Sequence, residues 1–293
     1  MKIFVTGATG YIGRAVAEAF ARRGHRVAGL TRSADKASGL EARGIEAVVG
    51  NMRDYRTWRS AAKDAGVLVH CAVEYGADYQ ALDLATVEAF LALRAKVLYT
   101  SGVWQYGPCG NKPVSESYEG KPLLPWRSEH EELVLKAKGV VLRPGCVYGG
   151  SGGLTGLWFQ GALEKKAAPV VGDGTNRWAM IHLEDLAELY CRAAESAPKG
   201  ELFNAADGTR VKTAEMAAAA SRAAGAGGKI KNLTLAEAEN MYGGLAHGLA
   251  LDQLVDSSKA MKLLAWKPRF SGFVDHADRA FASWKAHTQA PAA

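Results

Sequence analysis

The chain has 293 residues, a net charge of +6 and 48% hydrophobic residues, a balance that fits one large α/β domain or a domain with a smaller lobe. Its Lys and Arg residues are scattered and not massed, which argues against a nucleic-acid partner, and no apolar run is long enough to span a membrane. Cys71, Cys109, Cys146 and Cys191 lie far apart without metal-ligand spacing, so they read as reduced thiols in a cytoplasmic protein that holds no metal.

The first strand is expected at Ile3-Phe4-Val5, so close to residue 1 that no secretory leader fits. After Gly10 the period changes. Ile12, Val16 and Phe20 fall four apart, so one helical face is apolar, and Gly24 ends the helix. Between strand and helix stand Gly7, Gly10 and Gly13, at steps of three. One glycine lets the chain turn, one lets the backbone approach a pyrophosphate, and one lets the helix pack against the strand. The helix N-terminus then offers N–H groups to the phosphates. This spacing, G-x-x-G-x-x-G, predicts a dinucleotide site because it follows a strand and opens a helix.

The second strand, His25 to Leu30, ends at Thr31-Arg32-Ser33. An acid there would take the ribose hydroxyl of NAD, whereas an arginine takes the 2′-phosphate of NADP. Arg32 holds that place, so NADP is expected over NAD, with Arg14 and Lys36 as further positive charge. A solvated surface arginine is the alternative reading. Strand patterns at 45–49, 67–71, 97–101 and 140–142 alternate with helical patterns at 79–94 and 129–138, which predicts a doubly wound parallel sheet, a Rossmann fold. Ligands sit at the carboxyl ends of such strands. His70-Cys71-Ala72 and Thr100-Ser101-Gly102 therefore face the cofactor, although His70 by itself is as readily structural.

Beyond Gly145 the pattern loosens into a glycine-rich loop at 149–153, helices at 154–166, 184–195 and 214–224, and short strands at 180–182 and 202–204. Residues 225–231 read as a surface linker and 289–293 as a frayed end. The division expected is a dinucleotide-binding domain over 1–150, rejoined by 178–228, and a substrate lobe from 151–177 and 229–293.

With these residues in view, the chain resembles the extended short-chain dehydrogenase/reductases, the NAD(P)-dependent epimerase/dehydratase group. The marks are Thr6-Gly7-Ala8-Thr9-Gly10-Tyr11-Ile12-Gly13, Val69-His70-Cys71-Ala72, Thr100-Ser101-Gly102 with Tyr106-Gly107, Leu142 to Gly149, Ile181 to Ala187 and Leu264 to Pro268. They cover nearly the whole chain. The resemblance implies that Gly7, Thr9, Gly10, Tyr11, Ile12, Gly13, Arg32, Cys71, Ala72 and Thr100 hold the cofactor. It also implies a small-molecule substrate and, by analogy alone, a homodimer through helices near 81–93 and 129–138.

The active-site pattern of the family is missing. That family places a Ser or Thr after the fifth strand and Tyr-x-x-x-Lys on the next helix, where the lysine lowers the tyrosine pKa. Here Trp126 stands in the tyrosine place, His130 in the lysine place and Gly102 in the hydroxyl place, with Ser101 one residue early. Ser101, Tyr106 and His130 are the catalytic candidates that remain, with Trp126 and Tyr148 expected against the substrate. Three functions stay open: an NADP-dependent oxidoreductase or epimerase-like enzyme with a rebuilt proton relay, a non-catalytic NADP-binding sensor, or an isomerase or lyase using the same cleft.

Overall fold

Ile3 to Val5, Val67 to Val69 and Val140 to Leu142 are apolar on consecutive residues, as strands covered on both faces must be. In the computed structural model, which describes residues 1–288, they lie inside one sheet. The frayed end expected at 289–293 falls outside the described residues. The strands in chain order are β1 (Lys2–Thr6), β2 (Arg26–Thr31), β3 (Ile45–Val49), β4 (Val67–His70), β5 (Lys96–Thr100), β6 (Val140–Pro144), β7 (Cys146–Tyr148), β8 (Ala168–Val171), β9 (Met180–His182), β10 (Leu202–Ala205) and β11 (Ile230–Leu233). The main sheet runs β10-β6-β5-β4-β1-β2-β3, and every pairing in it is parallel.

The helices are α1 (Tyr11–Arg22), α2 (Ala37–Glu41), α3 (Arg59–Lys63), α4 (Tyr79–Leu91), α5 (Pro125–Lys136), α6 (Gly156–Lys165), α7 (Leu183–Ser196), α8 (Thr213–Ala223), α9 (Leu235–Tyr242), α10 (Leu245–Leu249), α11 (Ser258–Leu264) and α12 (Ala277–Thr288). On one face of the sheet, α1 and α7 bury Val16, Phe20, Leu186 and Tyr190 against β1, β4 and β5. On the other, Phe4, Trp58, Phe90 and Tyr99 form a second core. The chain leaves β1 toward β2 and β3, then returns on the other side to β4. The order therefore reverses between β1 and β4, where ligands bind in sheets of this kind.

The lobe has its own core, in which Trp158, Phe159, Trp178, Met216 and Phe273 meet. Several boundaries differ from the sequence expectation. Helix α8 packs in the lobe core, because its alanines let it lie close to α6 and β8. Ala260, Leu264 and Trp266 return to the main-sheet core instead, where the Trp266 indole donates to the Asp185 carbonyl at 2.9 Å. The expected linker ends in β11, which pairs in parallel with β8. Helix α5 also begins four residues earlier than its periodicity suggested, with Pro125 in its first turn, where the missing N–H costs nothing.

Candidate functional site

The glycine turn is built as its spacing requires. Gly7 has φ +74°, a conformation that L side chains avoid, and a Cβ there would meet the Ala72 backbone at 2.9 Å. A Cβ on Gly13 would stand 2.2 Å from the Gly7 carbonyl oxygen, so Gly13 is what lets α1 press against the turn. Gly10 is different: a Cβ on it would meet only the Gly7 carbonyl, at 3.2 Å, and its open side faces a cavity. It caps α1 without a side chain, leaving the first N–H groups of the helix free for an anion.

Two cavities meet over this turn. One, of about 370 Å³, is lined by Gly7, Thr9, Gly10, Leu30, Thr31, Arg32 and Met52. The other, of about 500 Å³, lies at the ends of β5 and β6 against Thr100, Ser101, Gly102, Trp104, Leu124 and Arg127. Tyr11, Ile12, Cys71, Ala72, Val73 and Tyr75 line both, so the two form one cleft across the switch point. Tyr11 donates its hydroxyl to the Gly149 carbonyl at 2.7 Å, and Arg14 donates to Ser151 Oγ at 2.7 Å. These bonds seat the glycine-rich loop on α1. A Cβ on Gly152 or Gly153 would stand 3.0 to 3.1 Å from the Tyr11 side chain, which explains the small residues there. Arg14 is thus committed to the loop and does not supplement Arg32.

The cleft offers few reactive groups. Burial pushes the Cys71 thiol up to about 11 and the Cys146 thiol up to about 12, so neither is a thiolate nucleophile. Thr100 Oγ1 lies 2.6 Å from the Tyr190 hydroxyl and 3.2 Å from Cys71 Sγ. Ser101 lines the cavity, yet its Oγ is sealed from solvent and has no partner among the described residues. Gly102, in the family's hydroxyl place, adds none.

Four expected site residues lie elsewhere. Tyr106 is fully buried behind β5 and β6, with its ring under Arg143 and its hydroxyl donating to Asn204 Oδ1 at 2.7 Å. Burial raises its pKa, so it has neither the position nor the acidity of a proton donor. His130 points inward from α5, and its Nδ1 lies 2.7 Å from Asp83 Oδ2. Trp126, one turn earlier, packs edge-on to His130 and Tyr79 instead of walling the cleft. Tyr148 is wholly buried in the lobe core against His182 and Phe273. The local reason is the same in each case: an aromatic or imidazole side chain found an apolar neighbour or a buried partner on the inner face of its element.

The residue that does reach the cavity from α5 is Arg127. Its Nη1 donates to the Thr100 carbonyl at 3.0 Å and to the Tyr99 hydroxyl at 3.3 Å, and its guanidinium stacks over Trp126 at 4.5 Å. Nε and Nη2 make no hydrogen bond among the described residues, and no carboxylate pairs with it directly. Tyr99 donates in turn to Asp83 Oδ2 at 2.8 Å. Asp83, on α4, is the hub: His130 holds one oxygen and His70 Nε2 stands 3.3 Å from the other, with Thr6 Oγ1 at 2.7 Å from His70 Nδ1. Contacts with His130 and His70 hold the Asp83 carboxyl far below its ordinary range despite its burial. The network therefore ties the glycine turn to the wall of the second cavity. His70 belongs to this buried network. A polar Asp83 amid the inward-facing Leu82, Thr86, Val87 and Phe90 was the signal available in sequence.

The family model for the NAD dependent epimerase/dehydratase family matches residues 3–206. The chain is 29% identical over 290 residues to an uncharacterized Schizosaccharomyces pombe protein, covering 92% of this chain and 96% of that one. It is 27% identical to 4-hydroxy-2-methyl-3-oxo-4-farnesyl-3,4-dihydroquinoline-1-oxide ketoreductase of Stigmatella aurantiaca, covering 72% of this chain and 70% of the relative. Among solved structures, dTDP-glucose 4,6-dehydratase of Bacillus anthracis in complex with NAD superposes with a TM-score of 0.82, at 18% identity and with 99% and 98% coverage. At that identity the likeness speaks for the fold alone.

Proposed function

We propose that this chain, which belongs to the NAD dependent epimerase/dehydratase family, is an NADP-dependent oxidoreductase acting on a small, largely apolar carbonyl compound. The observation that carries the reading is the continuous cleft over the glycine turn, with an arginine at one end and a mostly apolar chamber at the other. Ile12, Val103, Leu124, Pro144 and Leu154 give that chamber its character. The similarity to a ketoreductase agrees with it.

In this reading the N–H groups of Tyr11, Ile12 and Gly13 receive the pyrophosphate, and Arg32 receives the 2′-phosphate. Cys71, Ala72 and Thr100 floor the nicotinamide end. The bound dinucleotide supplies the hydride. Arg127 turns its unpartnered N–H donors toward the substrate oxygen and stabilises the negative charge that grows there. Tyr99, Asp83 and the Thr100 carbonyl hold the guanidinium in that pose. Arg127 acts electrostatically, and the alkoxide formed by hydride addition takes its proton from water at the open mouth of the cleft. Dimerisation through the outer faces of α4 and α5 belongs to the same proposal and is checked by sedimentation.

A second reading, dinucleotide binding without chemistry, is favoured by one observation. Tyr11 is committed to Gly149 and Ser101 Oγ is sealed, which leaves Tyr75, 88% exposed at the rim, as the free phenol of the cleft among the described residues. The test is NADPH oxidation in the presence of a panel of apolar aldehydes, ketones and enones. Turnover that is lost in Arg127→Met supports the enzyme. Tight NADPH binding with no turnover of any carbonyl supports the second reading.

A further inference from the structure

Two arginines from different loops converge on one carboxylate at the rim of the adenine-side cavity. Arg32, after β2, donates to one oxygen of Glu74 at 3.0 Å. Arg53, after β3, donates through Nε to the other oxygen at 2.9 Å. The remaining nitrogens of Arg53 hold Asp78 at 2.5 and 2.9 Å. Arg32 and Arg53 are 68% and 41% exposed, whereas Glu74 is 19% exposed, so the carboxylate is the tucked-in member of the group. Glu74 and Arg32 both line the cavity. An anion is thus already seated between two guanidinium groups, on the side of the cleft that the end of β2 defines.

We propose that Glu74 is a built-in competitor for the cofactor's 2′-phosphate, and that Arg53 completes with Arg32 the seat from which the phosphate displaces it. The proposal rests on the dinucleotide reading above. A phosphate monoester carries a charge of about −1.5 to −2 and three strong acceptor oxygens. A carboxylate carries one charge and two oxygens, so the same pair of guanidinium groups prefers the phosphate. A ribose hydroxyl carries no charge and does not displace Glu74. With NADH, the carboxylate stays on its arginines and offers its spare lone pairs to that hydroxyl. Selectivity is then a difference between two occupants of one seat, and Glu74 sets how large that difference is. The loop from Ala72 to Asp78 carries the displaced side chain, and Asp78 keeps Arg53 in place when Glu74 leaves.

The test is calorimetric titration of the full chain with NADPH, NADH, adenosine 2′,5′-bisphosphate and AMP. Arg53→Gln is expected to weaken NADPH and the bisphosphate by about tenfold and to leave NADH and AMP within about threefold. Glu74→Gln is expected to tighten NADPH and the bisphosphate by about tenfold, with NADH unchanged or weaker. Arg56→Gln is the control for charge alone, since Arg56 is 89% exposed and pairs only with Asp54 among the described residues. Thermal midpoints establish that each variant is folded. An Arg53→Gln loss no larger than that of Arg56→Gln, or a Glu74→Gln protein with unchanged NADPH affinity, overturns the proposal. If the unmodified protein binds neither dinucleotide, the functional reading falls and this inference with it. Binding of both dinucleotides with flat responses in the variants refutes the inference alone.

Discussion

Gly10 and Gly13 look equivalent in the sequence, and the structure separates them. A methyl group on Gly13 would lie 2.2 Å from the Gly7 carbonyl oxygen and 2.7 Å from its carbon, both backbone atoms. Helix α1 would have to move off the turn, and overpacking of this kind costs about 1–3 kcal/mol. For a chain of this size each kcal/mol is worth roughly 2–4 °C, so Gly13→Ala should lower the melting temperature by about 2–12 °C. A methyl on Gly10 meets only one atom, at 3.2 Å, and Gly10 has φ −83° and ψ 177°, which alanine adopts freely. The cap exchange costs from a few tenths to about 1 kcal/mol. Gly10→Ala should therefore melt within about 4 °C of the unmodified protein. Its methyl group occupies the space in front of the first helical N–H groups, so NADPH affinity should fall at least about tenfold. Calorimetry and thermal melts on the two variants read both quantities. A Gly10→Ala protein that binds NADPH normally, or a Gly13→Ala protein with an unshifted melting temperature, would refute the reasoning.

Arg32→Asp should reverse the cofactor order, making NADH the tighter ligand, as equilibrium titration of both dinucleotides will report. Arg127→Met should lower kcat/KM for the best carbonyl substrate by about 10²-fold while leaving NADPH affinity within about threefold; steady-state kinetics separates the two. Burial pushes the Asp207 carboxyl up to about 6, and its Oδ2 has no partner among the described residues. The folded state thus binds more protons than the unfolded state between the ordinary carboxylate range and pH 6, so stability falls as pH rises through that window. Asp207→Asn keeps an acceptor for Thr209 and should stabilise the protein by about 1–3 kcal/mol at pH 8 with little effect near pH 4, in urea unfolding at the two pH values. Asp83 has the opposite sign: its depressed pKa supplies stability above the ordinary carboxylate range that is lost as pH falls toward the folded value. Asp83→Ala should cost about 3–5 kcal/mol at pH 7, because it strands His130 and the Tyr99 hydroxyl in the interior.

The parts of the molecule that were legible in the sequence are those set by short-range pattern. Ile3 to Gly13 declared a strand, a turn and a helix because apolar runs, glycine steps and a four-residue period are local. The doubly wound sheet followed from the alternation of such segments. The position of Arg32 at the cavity was legible because the fold fixes what the end of β2 faces. The places of Tyr106, His130 and Trp126 were not, since each depends on a partner far away in the chain. Tyr106 turns to Asn204, 98 residues on, and His130 turns to Asp83, 47 residues back. Counting along α5 located the right helix but not its rotation, and one residue of difference brings Arg127 to the cavity in place of Trp126. Glu74 and Arg53 escaped notice for the same reason: their meeting joins two loops that only the sheet brings together. The Gly225 to Lys231 stretch looked like a linker because its pairing partner, β8, is some 60 residues earlier.

The most direct measurement is a crystal structure of the protein grown with NADPH. The account predicts the pyrophosphate against the N–H groups of Tyr11 to Gly13, the 2′-phosphate on Arg32 and Arg53 with Glu74 displaced, and the nicotinamide in the chamber that Arg127 borders. A dinucleotide bound away from the glycine turn, or a cleft that stays empty at millimolar NADPH, would contradict it.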